Sequence, residues 1–179
     1  MSAPRKRMLD QAEIDAALAE LAAMAQADGV RVLLVGGIAL QHYGSDRFTA
    51  DIDLAASGPL RALPAESPLS FGGDASHTRG GVPVDLILRD DDYAQLYDEA
   101  LAHPNTLDGV PLPLVLPEYA VLMKMAAHRP KDMLDISTLL EQDAIDLPKA
   151  RALVKRLLGR YALDDFESMV RESAWRRRS

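Results

Sequence analysis

From Asp10 to Ala27 the apolar residues Ile14, Leu18, Leu21 and Ala25 recur at helical spacing, and Asp28-Gly29 ends the turn. The period then changes. Arg31-Val32-Leu33-Leu34-Val35 is a short, β-branched, apolar run and predicts a buried strand. Gly36 and Gly37 follow at once, and Ile38 to Tyr43 reads as a short helix stopped by Gly44. In Asp51-Ile52-Asp53-Leu54-Ala55 polar and apolar residues alternate, which predicts a second strand. Between Ser57 and Gly73, Pro59, Pro64, Pro68 and the glycines break regular structure, so a loop or short helix-turn is expected. Val82 to Leu88 is the third strand, Asp91 to His103 a helix with an acidic first turn, and Val110 to Leu116 a proline-interrupted edge strand. Helices beginning near Pro117, Lys131, Pro148 and Leu163 fill the remainder. Strands cluster early and helices late. The pattern predicts an α+β fold, a mixed sheet flanked by helices with a C-terminal helical bundle. The expected boundary divides a core over 1–116 from a helical region over 117–179 packed on it.

Composition narrows the class. A chain of 179 residues with 48% hydrophobic content can bury one substantial core. It has no cysteine, which removes disulfides and thiolate metal sites. No stretch approaches the ~20 apolar residues of a membrane span, and the N-terminal Arg5-Lys6-Arg7 runs into acidic, amphipathic sequence rather than an apolar core. A cytoplasmic protein without membrane contact is expected. The net charge of -7 argues against a broad nucleic-acid surface. Two basic clusters remain, at Arg5 to Arg7 and Arg176 to Arg178, and each reads as a solvated end or as a local RNA contact.

The chemistry concentrates in two short runs. In a strand, Asp51 and Asp53 project from one side while Ile52 and Leu54 anchor the other. Two carboxylates so close repel, and they need a cation or a raised pKa. Oxygen ligands at this spacing suit Mg²⁺, which takes one or two carboxylates together with substrate phosphates. Upstream, a strand running through Gly36-Gly37 into a helix start offers bare backbone N–H groups to an anion. Over Val32 to Leu54 this order, strand, Gly-Gly, short helix, then Asp-Ile-Asp-Leu, closely resembles the nucleotidyltransferase superfamily with the DNA polymerase β-like fold. The resemblance implies that Gly36 and Gly37 hold a nucleoside triphosphate and that Asp51 and Asp53 hold Mg²⁺ or Mn²⁺.

Asp85 is one acid in the otherwise apolar strand Pro83-Val84-Asp85-Leu86-Ile87-Leu88. Burying it is costly unless it is paired or meets a metal, and an outward-facing acid is the bland alternative. In the superfamily such a strand supplies the third metal-binding acid, and Asp85 matches it. Arg47, four residues before Asp51, either swings its forked donors over phosphates or pairs with Asp46. Ser45 and Thr49 are phosphate contacts or turn residues. Arg47-x-Thr49-x-Asp51-x-Asp53 is similar to the pattern of AbiEii-type bacterial nucleotidyltransferases.

Further on, Lys124 is the only early cation in the apolar helix from Pro117. Asp132, Asp135, Ile136 and Leu139 share one face of the next helix, so Asp135 should have a cationic partner in Lys124 or Arg129. Lys124 followed by Arg129-x-Lys131-Asp132-x-x-Asp135 resembles the later AbiEii-type motifs. That resemblance implies a phosphate-contacting Lys124 and a catalytic or orienting Asp135; an ion pair tying two helices is the alternative. Lys131 and Asp132 are expected to shape the helix start. His42, His77, His103 and His128 form no ligand-like cluster.

Together these residues predict a metal-dependent nucleotidyltransferase that moves a nucleoside monophosphate from an NTP to an acceptor hydroxyl. The AbiEii resemblance implies tRNA or protein as acceptor, in a toxin–antitoxin or phage-defence setting, with a possible partner protein from a neighbouring gene. An aminoglycoside-type enzyme shares the early motif, and its cationic substrate suits the acidic balance. A non-catalytic nucleotide-binding partner module is the reading from another class.

Overall fold

The computed structural model describes residues 7–178; the Arg5–Lys6 part of the first basic cluster lies outside them. Helix α1 (Gln11–Asp28) begins on a capping box, in which the Asp10 carboxylate accepts from the backbone of Glu13 and the Glu13 carboxylate accepts from that of Asp10. It ends on Gly29 in the left-handed region. Its buried face carries Ile14, Leu18, Leu21 and Ala25, as the spacing predicts. Strand β1 (Val32–Val35) is buried throughout, and helix α2 (Gly36–Gln41) starts on the residue after it.

Strands β2 (Ile52–Ala56), β3 (Ser67–Pro68), β4 (Gly73–His77) and β5 (Pro83–Ile87) complete a five-stranded mixed sheet of order β1-β2-β5-β4-β3. Strand β2 pairs antiparallel with β1 and parallel with β5. Two features depart from the sequence expectation. The proline- and glycine-broken stretch contains β3 and leads into β4, which pairs with β5 along its whole length. Gly73-Asp74-Ala75-Ser76-His77 has no apolar alternation, so its strand character comes from backbone pairing alone. Gly73 sits at φ 92, and a Cβ there would come within 1.9 Å of the Leu86 carbonyl oxygen. The second departure is at Val110 to Leu116. This segment touches β1 only around Leu34, through Leu34 N–H to Pro113 O at 2.8 Å and Val115 N–H to Leu34 O at 2.9 Å. Pro111 and Pro113 have no N–H to extend the ladder, so a bridge forms in place of an edge strand.

Five helices follow the sheet: α3 (Ala94–Ala102), α4 (Pro117–Ala127), α5 (Pro130–Glu141), α6 (Leu147–Leu157) and α7 (Arg160–Arg176). Helix α3 starts later than its acidic residues suggest, because the Asp91 carboxylate accepts from the Tyr93 N–H and from Arg89 ahead of the first turn. It packs on β1, β2 and α4, and α4 in turn packs on α5 and α6. Every residue of α4 from Pro117 to Met125 is buried. The buried apolar side chains form one cluster that runs from Leu9 to Phe166. Among the described residues, no helix is long and apolar enough to cross a membrane.

Candidate active site

A cleft of about 520 Å³ opens where β1, α2, β2 and β5 meet α3 and α4. The sheet supplies its acids. Asp53 and Asp85 are register partners on the parallel strands β2 and β5, and Asp51 lies just before β2 on the Asp53 side of the pleat. All three line the cleft. Burial pushes the Asp53 carboxyl up to about 6, the charges of Asp51 and Asp85 push the same way, and Lys124 and Lys131 oppose them. At Asp53, burial and like charge therefore outweigh the attraction of the two lysines.

The glycine turn is fitted to that carboxylate. Gly36 has φ +64, and a Cβ on it would lie 1.9 Å from Asp53 Oδ2. At Gly37 a Cβ would stand 3.0 Å from Thr49 Oγ1. Any side chain at Gly36 would displace Asp53, which explains why bare backbone stands there. The Thr49 hydroxyl donates to Asp51 O at 2.8 Å and so fixes the turn into β2. Ser45 accepts from the Arg47 N–H at 3.4 Å, a turn contact.

The helices supply the cations. Lys124 Nζ donates to Asp135 at 2.7 Å and to Asp132 at 3.0 Å. Arg47 Nη1 meets the other oxygen of Asp135 at 2.9 Å, reaching across to α5 and not to its neighbour Asp46. Arg129 Nε holds Asp132 at 2.7 Å, and its backbone N–H donates to the same carboxylate at 3.1 Å. Asp132 thus caps α5, as the sequence suggests, and also anchors Lys124. Burial pushes the Asp132 carboxyl up, but hydrogen bonds from Arg129 and Lys124 outweigh burial and hold it below its ordinary range. Arg47, Lys124, Arg129 and Lys131 all line the cleft opposite the sheet acids. Asp135 does not line it; it stands behind Arg47 and Lys124 and orients both.

The donor set suits a divalent cation in chemistry and in register. Three carboxylates lie on or just before adjacent strands, and one of them, Asp53, is raised first by burial and then by the other two. Among the described residues, however, no three Asp, Glu or His side chains converge closely enough to form a ready-made ligand cluster. The histidines play other parts: His77 pairs with Glu66, His103 stacks on Tyr119, and His128 ends α4 in the left-handed region.

No family model and no curated protein matches the sequence. Solved structures do. One is an antigenic nucleotidyltransferase-like protein from Paracoccidioides brasiliensis, 18% identical, with a TM-score of 0.54 over 92% of this chain and 95% of that one. The solution structure of the antibiotic-resistance factor ANT(2'')-Ia is 14% identical, with a TM-score of 0.57 over 89% of this chain and 98% of that one. The same factor in complex with adenylyl-2''-tobramycin is 16% identical, with a TM-score of 0.54 over 83% and 98%. The chain has the nucleotidyltransferase fold.

On this nucleotidyltransferase fold the predicted residues Gly36, Gly37, Arg47, Asp51, Asp53, Asp85 and Lys124 line one cleft. Sequence reasoning missed three further members, Phe71, Arg89 and Tyr97. The Arg89 guanidinium grips Asp91 with two hydrogen bonds and lies 5.9 Å from the Phe71 ring, 5.2 Å from Tyr93 and 5.3 Å from Tyr97. A signal for Arg89 existed. Asp85, Ile87 and Arg89 alternate along one strand face, and all three reach the cleft. Phe71 carried no such signal, because the strand pairing that places it is not apolar. The basic C-terminal tail is largely spent on ion pairs: Arg176 meets Glu172 at 2.6 Å, and Arg177 pairs with Asp143.

Proposed function

We propose that this chain transfers a nucleoside monophosphate from a nucleoside triphosphate to an acceptor hydroxyl. One observation carries the reading. Across a single cleft, three strand carboxylates, among them the buried and raised Asp53, face a row of cations, with bare glycine backbone beside them. That separation of charge suits a triphosphate. The phosphates would lie along Gly36 and Gly37 toward Lys124, Arg47 and Lys131, where forked and point-charge donors neutralise their oxygens. Asp51, Asp53 and Asp85 would hold Mg²⁺ or Mn²⁺, which when bound polarises the α-phosphate and neutralises developing charge.

The remaining chemistry belongs to the chain. The acceptor oxygen attacks the α-phosphorus, the bond from that phosphorus to the bridging oxygen of the β-phosphate breaks, and pyrophosphate leaves. The hydroxyl proton passes to a carboxylate of the strand cluster. Asp135 is engaged by two cations, so its role is to position Lys124 and Arg47. Positioning and charge stabilisation are the main contributions of the protein, as in other phosphoryl transfers.

The motif resemblance to AbiEii-type enzymes supports tRNA or protein as acceptor, in a toxin–antitoxin or phage-defence setting. A second reading, a small aminoglycoside-type acceptor, is supported by the likeness to ANT(2'')-Ia across nearly its whole length and by the net charge of -7. The test is transfer of α-labelled nucleotide with Mg²⁺ to three acceptor sets: bulk tRNA, a proteome extract and an aminoglycoside panel. Label on one set names the acceptor class. Nucleotide binding with no transfer to any of them would favour the non-catalytic module.

A further inference from the structure

A second cleft, of about 530 Å³, lies on the far side of the C-terminal end of α4, and Ala126 lines both. It is bounded by the turn before α3, by the ends of α4 and α6, by α5, and by one face of α7 on which Ala162, Asp165, Met169 and Glu172 recur at helical spacing. Its chemistry differs from that of the first cleft. Met125, Met133 and Met169 line it, with Leu157 and Leu158 beside them. Thioether side chains are unbranched and adapt to apolar ligands of varied shape. Around this apolar surface stand three exposed carboxylates, Asp92, Asp165 and Glu172. Among the described residues no lysine or arginine lines the cleft, although Arg176 reaches Glu172 at 2.6 Å. The volume is that of a small-molecule site.

We propose that this cleft binds a small amphipathic cation, a primary ammonium carried on an apolar skeleton. The skeleton lies on the three methionines and two leucines, and the ammonium is held by Asp92 and Asp165. Charge complementarity selects this occupant: an anion meets three carboxylates against the single imidazole of His128, and a neutral apolar molecule gains nothing from the carboxylates. A strongly hydrophilic polycation leaves the methionine surface uncovered. The site is separate from the nucleotide cleft, and the inference does not depend on the transfer activity.

The test uses the full chain labelled with ¹³C at its methionine methyl groups, titrated with 1-aminooctane below its micellar concentration, and in parallel with octanoate and 1-octanol. The chain has seven methionines, so four serve as internal controls. The expected result is saturable shifts at Met125, Met133 and Met169 with the amine, and much weaker ones with the acid and the alcohol. An Asp92→Asn/Asp165→Asn variant should bind the amine about fivefold more weakly, the effect of losing two solvent-exposed ion pairs. Both positions are exposed, so the variant keeps the fold, which unchanged methyl signals in the absence of ligand verify. Three results would overturn the proposal: no saturable shift, equal shifts with octanoate or octanol, or unweakened binding by the variant.

Discussion

Two sets of aspartates stand within one cleft region and live in opposite electrostatic circumstances. Asp132 and Asp135 on α5 are buried, and each is held by two cations, Lys124 with Arg129 and Lys124 with Arg47. On the sheet, Asp53 is raised to about 6 by burial and by Asp51 and Asp85, with only the longer-range charges of Lys124 and Lys131 in opposition. The helical set is satisfied within the chain, and its ion pairs hold α4, α5 and the Arg47 loop in fixed relation. Asp53 stores a deficit that an incoming cation would cancel. Sequence spacing alone does not separate these cases, since both are acids beside apolar residues; the surroundings of Asp53 and of Asp132 do.

The contrast can be broken by substitutions of opposite sign. Lys124→Met leaves Asp132 and Asp135 buried without their shared cation, and it should cost about 3–5 kcal/mol of folding stability. Urea denaturation measures this, and an unchanged midpoint would mean that the helical acids do not rely on Lys124. Asp53→Asn should do the reverse. A carboxyl raised from 3.8 to about 6 in the folded state binds more protons there than in the unfolded chain. The ligand-free protein is therefore most stable below pH 4 as far as this group is concerned, and loses about 3 kcal/mol as pH rises through about 6. The asparagine variant should lack that loss and melt higher than wild type at pH 8. A wild-type stability that climbs between pH 4 and 6, with the same climb in the variant, would contradict the deficit.

Gly36→Ala probes the fit between the two halves of the strand wall. The left-handed backbone and the contact with Asp53 Oδ2 should together cost about 2 kcal/mol and push the carboxylate out of place, read by thermal melting. Arg47→Ala gives the smallest effect. Arg47 is 40% exposed, and Asp135 keeps Lys124, so the loss should be about 1 kcal/mol and fall further in high salt.

Much of this arrangement was legible in the chain. Strands β1, β2 and β5 announce themselves by apolar content, and the resemblance of the Gly36-Gly37 and Asp51-Ile52-Asp53 runs to the nucleotidyltransferase superfamily implies that turn and acids share one site. Strand β4 was not legible, because its pairing with β5 is a backbone property and Gly73 to His77 carries no pattern of burial. Arg47 was expected over the cleft or on Asp46; its reach to Asp135, 88 residues away, is a tertiary contact that no local spacing encodes. The pairing of Asp135 with Lys124 was foreseeable from the shared helix face, and the structure realises it together with the second acid, Asp132.

The central claim is that the strand acids and the glycine turn form a triphosphate site. Calorimetric titration of the four nucleoside triphosphates with Mg²⁺, into wild type and into Asp51→Ala/Asp53→Ala, tests it most directly. The account predicts metal-dependent binding of at least one nucleotide to the wild type and none to the folded variant. Absence of binding to folded wild type, or equal binding to the variant, would contradict it.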